Sequence, residues 1–247
     1  MPFALTTKIV NAYYPPEEFY VIIIYAPLGY GKSCYQFKTG VEVLQNVYHL
    51  QEKEAWEKLK ELIVFHPMQF FQKIDEIEES GLGRVPFIEW DDAGLWLFAM
   101  EWNDPFIESF LKYMNIARTH LGALVCSSPT PEWILRKLRR FPSAITVKIR
   151  KFNSNHGYVN WLREAVAYNY WMHPDMKHSG VRKMFIDRFN CRMPDDFYTW
   201  YKPLRDSYEK LSRNLMKERW KEVSDKSKAL LLENYPSLQL PTLQPRI

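Results

Sequence analysis

The sequence predicts an α/β fold in which helices flank a mostly parallel sheet, with a mainly helical appendage at the carboxyl end. Short apolar runs alternate with segments of helical periodicity over residues 20–150, and such alternation is typical of a parallel sheet. Of the 247 residues, 47% are hydrophobic and 16% are aromatic, which is enough apolar surface for a large buried core. We expect the core at residues 1–152, and a basic ribbon with a helical region at residues 153–247.

The elements are predicted in chain order from periodicity and turn residues. Residues 144–151 alternate apolar and basic side chains, and residues 165–170 are expected to return beside them as the ribbon. From Gly180 onward the mixed charge predicts helical structure, with a long helix over residues 203–232. The remaining strands are predicted at residues 20–25, 63–66, 85–92 and 123–126, and the remaining helices at residues 31–50, 52–62, 68–79, 106–117 and 130–140.

A glycine-rich turn follows the first predicted strand. From Gly31 onward it matches the phosphate-binding loop pattern G-x-x-x-x-G-K-[ST], with Ala26 at the position of the first glycine. Backbone N–H groups can surround phosphate oxygens, the Lys32 ammonium can reach the β- and γ-phosphates, and the Ser33 hydroxyl can ligate Mg²⁺. The alternative is a simple turn with an exposed lysine. The residues predicted to bind the nucleotide are Leu28, Gly29, Tyr30, Gly31, Lys32, Ser33 and Cys34.

Two carboxylates end the predicted strand at residues 85–92. The run resembles a Walker B strand, in which Asp91 would bind Mg²⁺ through Ser33 or water and Asp92 would orient the attacking water. Glu89 departs from this pattern, because a strand buried on both faces should be apolar. The alternative is an Asp-Asp-Ala-Gly turn whose acids only cap it.

Two further residues occupy positions that are important in P-loop ATPases. Ser127 follows the apolar strand at residues 123–126, where a polar side chain would contact the γ-phosphate or the attacking water; capping the next helix is the alternative. Arg140 precedes Phe141 and the last core strand, which resembles the arginine-finger position of AAA+ initiator ATPases. Such an arginine would neutralise transition-state charge in a neighbouring subunit, whereas the alternative is a basic surface.

The charge is informative locally. The net charge is only +4, but seven cations and no acidic residue lie between residues 136 and 151, which suits a phosphate-rich partner. No apolar run is long enough to span a bilayer and no signal segment is recognisable, so we expect a soluble cytoplasmic protein with no membrane partner. The three cysteines, which we expect to be small buried hydrophobes, are Cys34, Cys126 and Cys191.

These motifs together resemble an ASCE-type P-loop ATPase of the AAA+ or FtsK-HerA kind. The likeness covers about residues 20–150 and implies a three-layer sandwich, ATP, Mg²⁺, oligomerisation and a DNA partner. Residues 91–97, 187–189 and 193–196 are also similar to DnaA-like ATPases carried by spindle-shaped archaeal viruses and related plasmids. The basic ribbon where AAA+ proteins have a helical lid departs from that pattern and leaves a translocase-like ATPase open.

Two functions therefore follow from the residues and the resemblance. The first is an oligomeric Mg-ATP-hydrolysing enzyme that acts on DNA in replication initiation, remodelling or packaging. The second is a slowly hydrolysing nucleotide-dependent switch or scaffold, because Ala26 and Asp92 both depart from the active pattern.

Overall fold

The computed structural model describes residues 2–81, 83–101, 103–154, 157–173 and 177–234. The chain forms two compact units, Met1–Phe197 and Tyr198–Ile247. The first unit contains the whole sheet. The described part of the second unit belongs to one long helix, and the proline-containing tail beyond residue 234 lies outside the described residues. The predicted domain boundary at residues 152 and 153 falls within a strand of the first unit.

The described residues form a seven-stranded sheet, which confirms the predicted α/β fold. Its strand order is β2-β3-β4-β1-β5-β6-β7. The strands β1 to β5 pair in parallel, whereas β6 and β7 extend the sheet in antiparallel fashion. The strand bounds are β1 Tyr20–Tyr25, β2 Ile63–Val64, β3 Ile88–Trp90, β4 Ala123–Ser128, β5 Ala144–Ser154, β6 Gly157–Met172 and β7 Ser179–Asn190.

Strand β1 lies at the centre of the parallel half. Its four central residues, Val21–Ile24, are fully buried, because β4 and β5 flank the strand and helices cover both faces of the sheet. A continuous apolar run is what such a position requires. Tyr25 lies opposite Ser128 of β4 and Lys148 of β5, so the chain leaves β1 at the carboxyl edge of the sheet.

The helices of the first unit form two layers around the sheet. Trp90 of β3 packs between Phe70 and Phe110, with ring centroids 5.5 and 5.8 Å away, while its neighbours Glu89 and Asp91 point to the opposite face. This arrangement gives the expected three layers. The helix bounds are α1 Ala4–Tyr13, α2 Lys32–Tyr48, α3 Glu52–Lys60, α4 Pro67–Glu79, α5 Pro105–Tyr113, α6 Arg136–Arg139 and α7 Asp195–Asn234. None of the described helices is both long and apolar enough to cross a membrane.

Local capping explains several of these helix starts. The His66 side chain accepts a hydrogen bond from the backbone N–H of Met68, and Pro67 is the first helical residue of α4. Asp104 caps α5 in the same way through the N–H of Phe106. A side-chain acceptor followed by proline favours a helix start, because it satisfies free N–H groups and presets φ.

Two predicted elements differ in the structure, and one observed helix was not predicted. The chain from Gly180 is strand β7 rather than a helix, because alternate residues such as Asp187 and Phe189 are buried against α1 and α2 while their neighbours carry the charges. The helix predicted at residues 130–140 is a short 3-10 turn followed by α6, since Ile134 and Leu135 are extended and buried between them. Helix α1 was not predicted.

Candidate nucleotide-binding site

The predicted site residues meet at the carboxyl edge of the parallel strands. The glycine-rich loop follows β1, the pair Asp91 and Asp92 follows β3, and Ser127 ends β4. Because parallel strands end at the same edge, three segments far apart in sequence come together there. The local match to a phosphate-binding loop and the acidic strand are therefore parts of one site.

The loop backbone is shaped by two glycines. Gly29 and Gly31 have φ angles of 76° and 90°, a left-handed conformation that favours glycine. Gly31 also has no room for a side chain, since a Cβ there would lie 3.0 Å from Cβ of Cys191. Helix α2 begins at the next residue, so its positive dipole end faces the loop. A helix start of this kind favours a bound anion.

Lys32 is folded back into the loop. Its side chain is only 7% exposed, and its Nζ donates a hydrogen bond of 3.1 Å to the carbonyl of Ala26. The residue at the first glycine position of the motif therefore contributes its carbonyl, and its buried methyl group is accommodated. The hydrogen bond therefore joins the two ends of the loop, and the buried ammonium is a candidate for binding a phosphate.

Ser33 and Asp91 converge on one point of the site. The Ser33 Oγ donates to Asp91 Oδ1 at 3.0 Å, and this carboxylate is 1% exposed. A hydroxyl and a carboxylate are hard oxygen ligands of the type that Mg²⁺ binds together with phosphate and water oxygens. The described residues contain no cluster of three or more His, Cys, Asp or Glu that could hold a metal.

Ser127 links the two acids. Its Oγ donates to Asp91 Oδ1 at 2.6 Å and accepts from the backbone N–H of Asp92 at 2.8 Å. Asp92 has φ 49° and ψ 36°, a conformation that aspartate tolerates better than most residues. It is partly exposed, whereas Asp91 is buried. Ser127 thus lies beside the two acids, which the structure holds in different environments, and its contact with the γ-phosphate stays a prediction.

Glu89 is the departure noted in the acidic strand. It is 1% exposed, and burial, followed by the nearby charge of Asp91, raises its pKa well above the ordinary value. Gly40 makes room for it, since a Cβ at that position of α2 would lie 2.4 Å from Glu89 Oε1. The Glu89 side chain is therefore packed between β3 and α2 in surroundings that favour its neutral form. The sequence signal for this buried acid is Gly40 in the middle of α2, which sequence reasoning did not connect with Glu89.

Arg140 lies away from the loop of its own chain. It precedes Ala144, which pairs with Val21 at the start of β1, whereas the loop follows the end of β1. Its guanidinium lies 5.6 Å from the ring centroid of Tyr170. With Arg136 and Lys137 it lines a groove of about 480 Å³ beside α5. Arg140 as an arginine finger stays a prediction, and one that only a neighbouring subunit could use.

The sequence suggested that the basic run at residues 136–151 forms a single surface. In the structure it does not. Lys148 and Arg150 face the α4 and α5 side of the sheet, whereas Lys151 faces the opposite side, with its Nζ 5.1 Å from the Tyr30 ring centroid. Arg150 also pairs with Glu164 of β6 at 2.7 Å, and Arg188 of β7 reaches the same carboxylate at 3.1 Å. The basic run contains no acidic residue of its own, and Glu164 of β6 supplies the partner carboxylate.

Sequence reasoning missed the contact between β7 and the loop helix. Asp187 accepts hydrogen bonds from the Tyr35 hydroxyl at 2.6 Å and from the N–H of Ala4 at 2.8 Å. Phe189 lies 5.1 Å from the Tyr35 ring. Cys191 is half-buried against the loop, while Cys34 and Cys126 are buried as expected. Strand β7 therefore ties α1, α2 and the loop together.

Two comparisons found proteins that are similar to this chain, and a third found none. The chain is 25% identical over 205 residues to "Uncharacterized protein B-251" of Sulfolobus spindle-shape virus 1, and this covers 83% of this chain and 80% of that protein. The crystal structure of flagellar accessory protein FlaH from Methanocaldococcus jannaschii is similar over 60% of this chain and 76% of FlaH, at 15% identity and a TM-score of 0.32. No protein-family model matches the chain.

Proposed function

We propose that this protein is a P-loop ATPase that binds and hydrolyses Mg-ATP. The observation that carries the proposal is the convergence of a buried loop lysine, Lys32, with the Ser33 and Asp91 oxygens 3.0 Å apart at the start of α2. A cation, a helix start and a hydroxyl–carboxylate pair are what a nucleoside triphosphate with its metal requires.

Each residue has a distinct task in this proposal. The loop amides from Leu28 to Cys34 and the Lys32 ammonium neutralise the phosphates. Ser33 and Asp91 would hold Mg²⁺, which supplies charge neutralisation at the phosphate oxygens. Asp92 orients the attacking water. Ser127 positions Asp92 by accepting a hydrogen bond from the Asp92 backbone N–H. Ser127 is therefore a positioning residue in this proposal. Its contact with the γ-phosphate stays a prediction.

A DNA partner is the second part of the proposal. Four cations on β5 and β7 face the same side of the sheet, namely Lys148, Arg150, Lys183 and Arg188. Glu164 offsets part of this charge, so Lys148 and Lys183 are the better candidates for phosphate contacts. Exposed cations on a protruding ribbon favour binding to a nucleic-acid backbone with little sequence preference.

Assembly into a homo-oligomer completes the proposal. Arg140 lies beyond reach of its own loop, so a catalytic role for it requires a neighbouring subunit. The alternative of a slow switch or scaffold is favoured by Asp92, whose carboxylate is one methylene shorter than the glutamate usual in these ATPases. Turnover with and without DNA decides between the two functions.

The test is steady-state ATP hydrolysis by the full chain with Mg²⁺, with and without double- or single-stranded DNA, together with the mass in solution. A DNA-stimulated rate with formation of an oligomer supports the enzyme. Tight ATP binding with negligible turnover under every condition supports the switch. Equal ATP binding by wild type and Lys32→Ala would show that neither function uses this loop.

A further inference from the structure

The two proposed metal ligands, Ser33 and Asp91, indicate in which direction a nucleotide would lie in the site. Asp91 follows β3, which lies two strands to one side of β1, whereas β5, β6 and β7 lie on the other side. Because Ser33 and Asp91 are the residues that would hold a metal, the terminal phosphates of a bound triphosphate would lie on the β3 side of the loop. The nucleoside end of the ligand must therefore extend along the start of α2 away from Asp91, toward the ribbon strands.

The ribbon reaches past the edge of the sheet at this place. The last residue of β5 paired with β1 is Lys148, yet β5 continues to Ser154, which adds about 20 Å of strand. Lys151 from this extension lies over the Tyr30 ring. From β7 and its end, the carbonyl of Asn190 accepts a weak hydrogen bond from Cys34 Sγ at 3.8 Å, and Cys191 abuts Gly31. The ribbon thus forms a wall beside the phosphate loop.

An aromatic and a cationic side chain stand on this wall. Trp161 of β6 is 46% exposed, and its carbonyl accepts a hydrogen bond of 2.8 Å from the N–H of Cys191. Two residues further along β6, on the same face, Arg163 lies opposite Phe189, which packs on α2. The Arg192 guanidinium lies 4.6 Å from the Trp161 ring centroid. An indole with a guanidinium over it is a platform on which a base can stack.

We propose that Trp161 and Arg192 form the nucleoside subsite of the loop, stacking the base of the nucleotide whose phosphates the loop holds. The inference rests on the proposed function, because it takes the phosphate position from it. A residue of the antiparallel ribbon, rather than of the parallel core, then sets the preference for a nucleoside triphosphate over inorganic polyphosphate. The phosphates depend on Lys32, and the base depends on Trp161.

The experiment uses two probes, Mg-ATP and magnesium tripolyphosphate, which share three phosphates but differ in the nucleoside. Their affinities are measured by calorimetry on the full chain for wild type, Trp161→Leu and Trp171→Leu. Trp171 is a matched control, because it lies on β6, is 45% exposed and is far from the loop at the other end of the strand. Trp161→Phe keeps an aromatic ring and serves as the conservative variant.

Trp161→Leu should weaken ATP binding about tenfold, as expected for loss of one base–aromatic stack, and leave tripolyphosphate within twofold. Trp171→Leu should change neither, and Trp161→Phe should recover most of the ATP affinity. Should Trp161→Leu fail to fold, Arg192→Gln still has to weaken ATP binding and leave tripolyphosphate binding unchanged, and an unchanged ATP affinity in Arg192→Gln would overturn the subsite.

Four outcomes contradict the inference. Unchanged ATP affinity in Trp161→Leu removes the subsite while the proposed function stands. Equal loss of both probes shows that the substitution distorts the loop rather than removing a stack. If wild type binds tripolyphosphate but not ATP, phosphate binding by the loop is supported and the base-stacking subsite is contradicted. If wild type binds neither probe, both the proposed function and the subsite are contradicted.

Discussion

The parallel and antiparallel halves of the sheet differ in how their polar residues are placed. At the carboxyl edge of β1, β3 and β4, Lys32, Asp91 and Ser127 are buried and joined to one another or to the loop by short hydrogen bonds. On β5, β6 and β7 the charged groups are mostly exposed. Buried and connected groups suit chemistry on a fixed ligand, whereas exposed cations suit an extended polyanion. In our proposal, one sheet therefore separates two kinds of phosphate recognition.

The largest expected effect comes from the buried lysine of the parallel half. Lys32→Ala should weaken Mg-ATP binding by at least about a hundredfold, because a charge-assisted contact to phosphate is lost inside a shielded loop. Calorimetry measures it. Lys38→Ala, on the same helix α2 but outside the loop, is the matched control and should stay within threefold of wild type. If both variants bind ATP alike, Lys32 does not contact the phosphates and the loop is not the nucleotide site.

The two acids of the parallel half should separate in role. Asp91→Asn should weaken Mg²⁺-dependent ATP binding, since Asp91 shares its oxygen with Ser33. Asp92→Asn should spare binding and lower turnover by about a hundredfold, as expected for loss of a water-orienting base. Binding and single-turnover hydrolysis are measured on each variant. The same loss of folding in both, without any nucleotide effect, would return them to a capping role.

Glu89 should make stability depend on pH. Its pKa is raised in the folded state by burial, so its stabilising contribution is complete below the unfolded value near 4.5 and is lost as the pH rises toward the folded pKa. Glu89→Gln keeps the shape of the neutral acid and should remove this dependence. Above pH 5 the free energy of unfolding of the variant should gain on that of wild type, by up to about 1.4 kcal/mol per pH unit. Denaturant titrations from pH 4 to pH 8 measure it, and parallel curves would contradict a neutral Glu89.

The smallest expected effect belongs to the antiparallel half. Replacing Lys148 and Lys183 together by Gln should weaken DNA binding about three- to tenfold at moderate salt. It should lower the log–log salt slope by roughly 0.7 to 0.9 for each lost contact and leave ATP affinity unchanged. Fluorescence anisotropy across a salt series measures this. Lys8→Gln with Lys53→Gln removes the same charge from α1 and α3 and serves as control, and an equal effect of both pairs would assign the binding to net charge alone.

The parallel half could be predicted from sequence because its signals are local. An apolar run, a glycine turn and a lysine predict β1 and the loop, and the rule that parallel strands end together predicts that Asp91 meets Ser33. Glu89 could not be placed, because a buried acid depends on Gly40, 49 residues earlier in the chain. Its environment is a property of packing between β3 and α2.

The antiparallel half was harder to predict because its charges mask its periodicity. The segment around Asp187 has a charged residue at most positions, which favoured a helical interpretation, and only the contacts with Tyr35 and Ala4 explain why alternate residues are buried. The separation of Lys148 from Lys151 follows from strand alternation once the register is known. Their distances to Glu164 and Tyr30 depend on tertiary structure.

The central claim is that the loop at the end of β1 holds a nucleoside triphosphate with its metal. A crystal structure of the full chain with Mg²⁺ and a non-hydrolysable ATP analogue tests it most directly. We expect the phosphates within hydrogen-bond distance of the Gly29–Cys34 amides and Lys32, and the metal about 2.1 Å from Ser33 Oγ. An analogue bound elsewhere, or a loop that stays closed on Lys32 at saturating analogue, would contradict the claim.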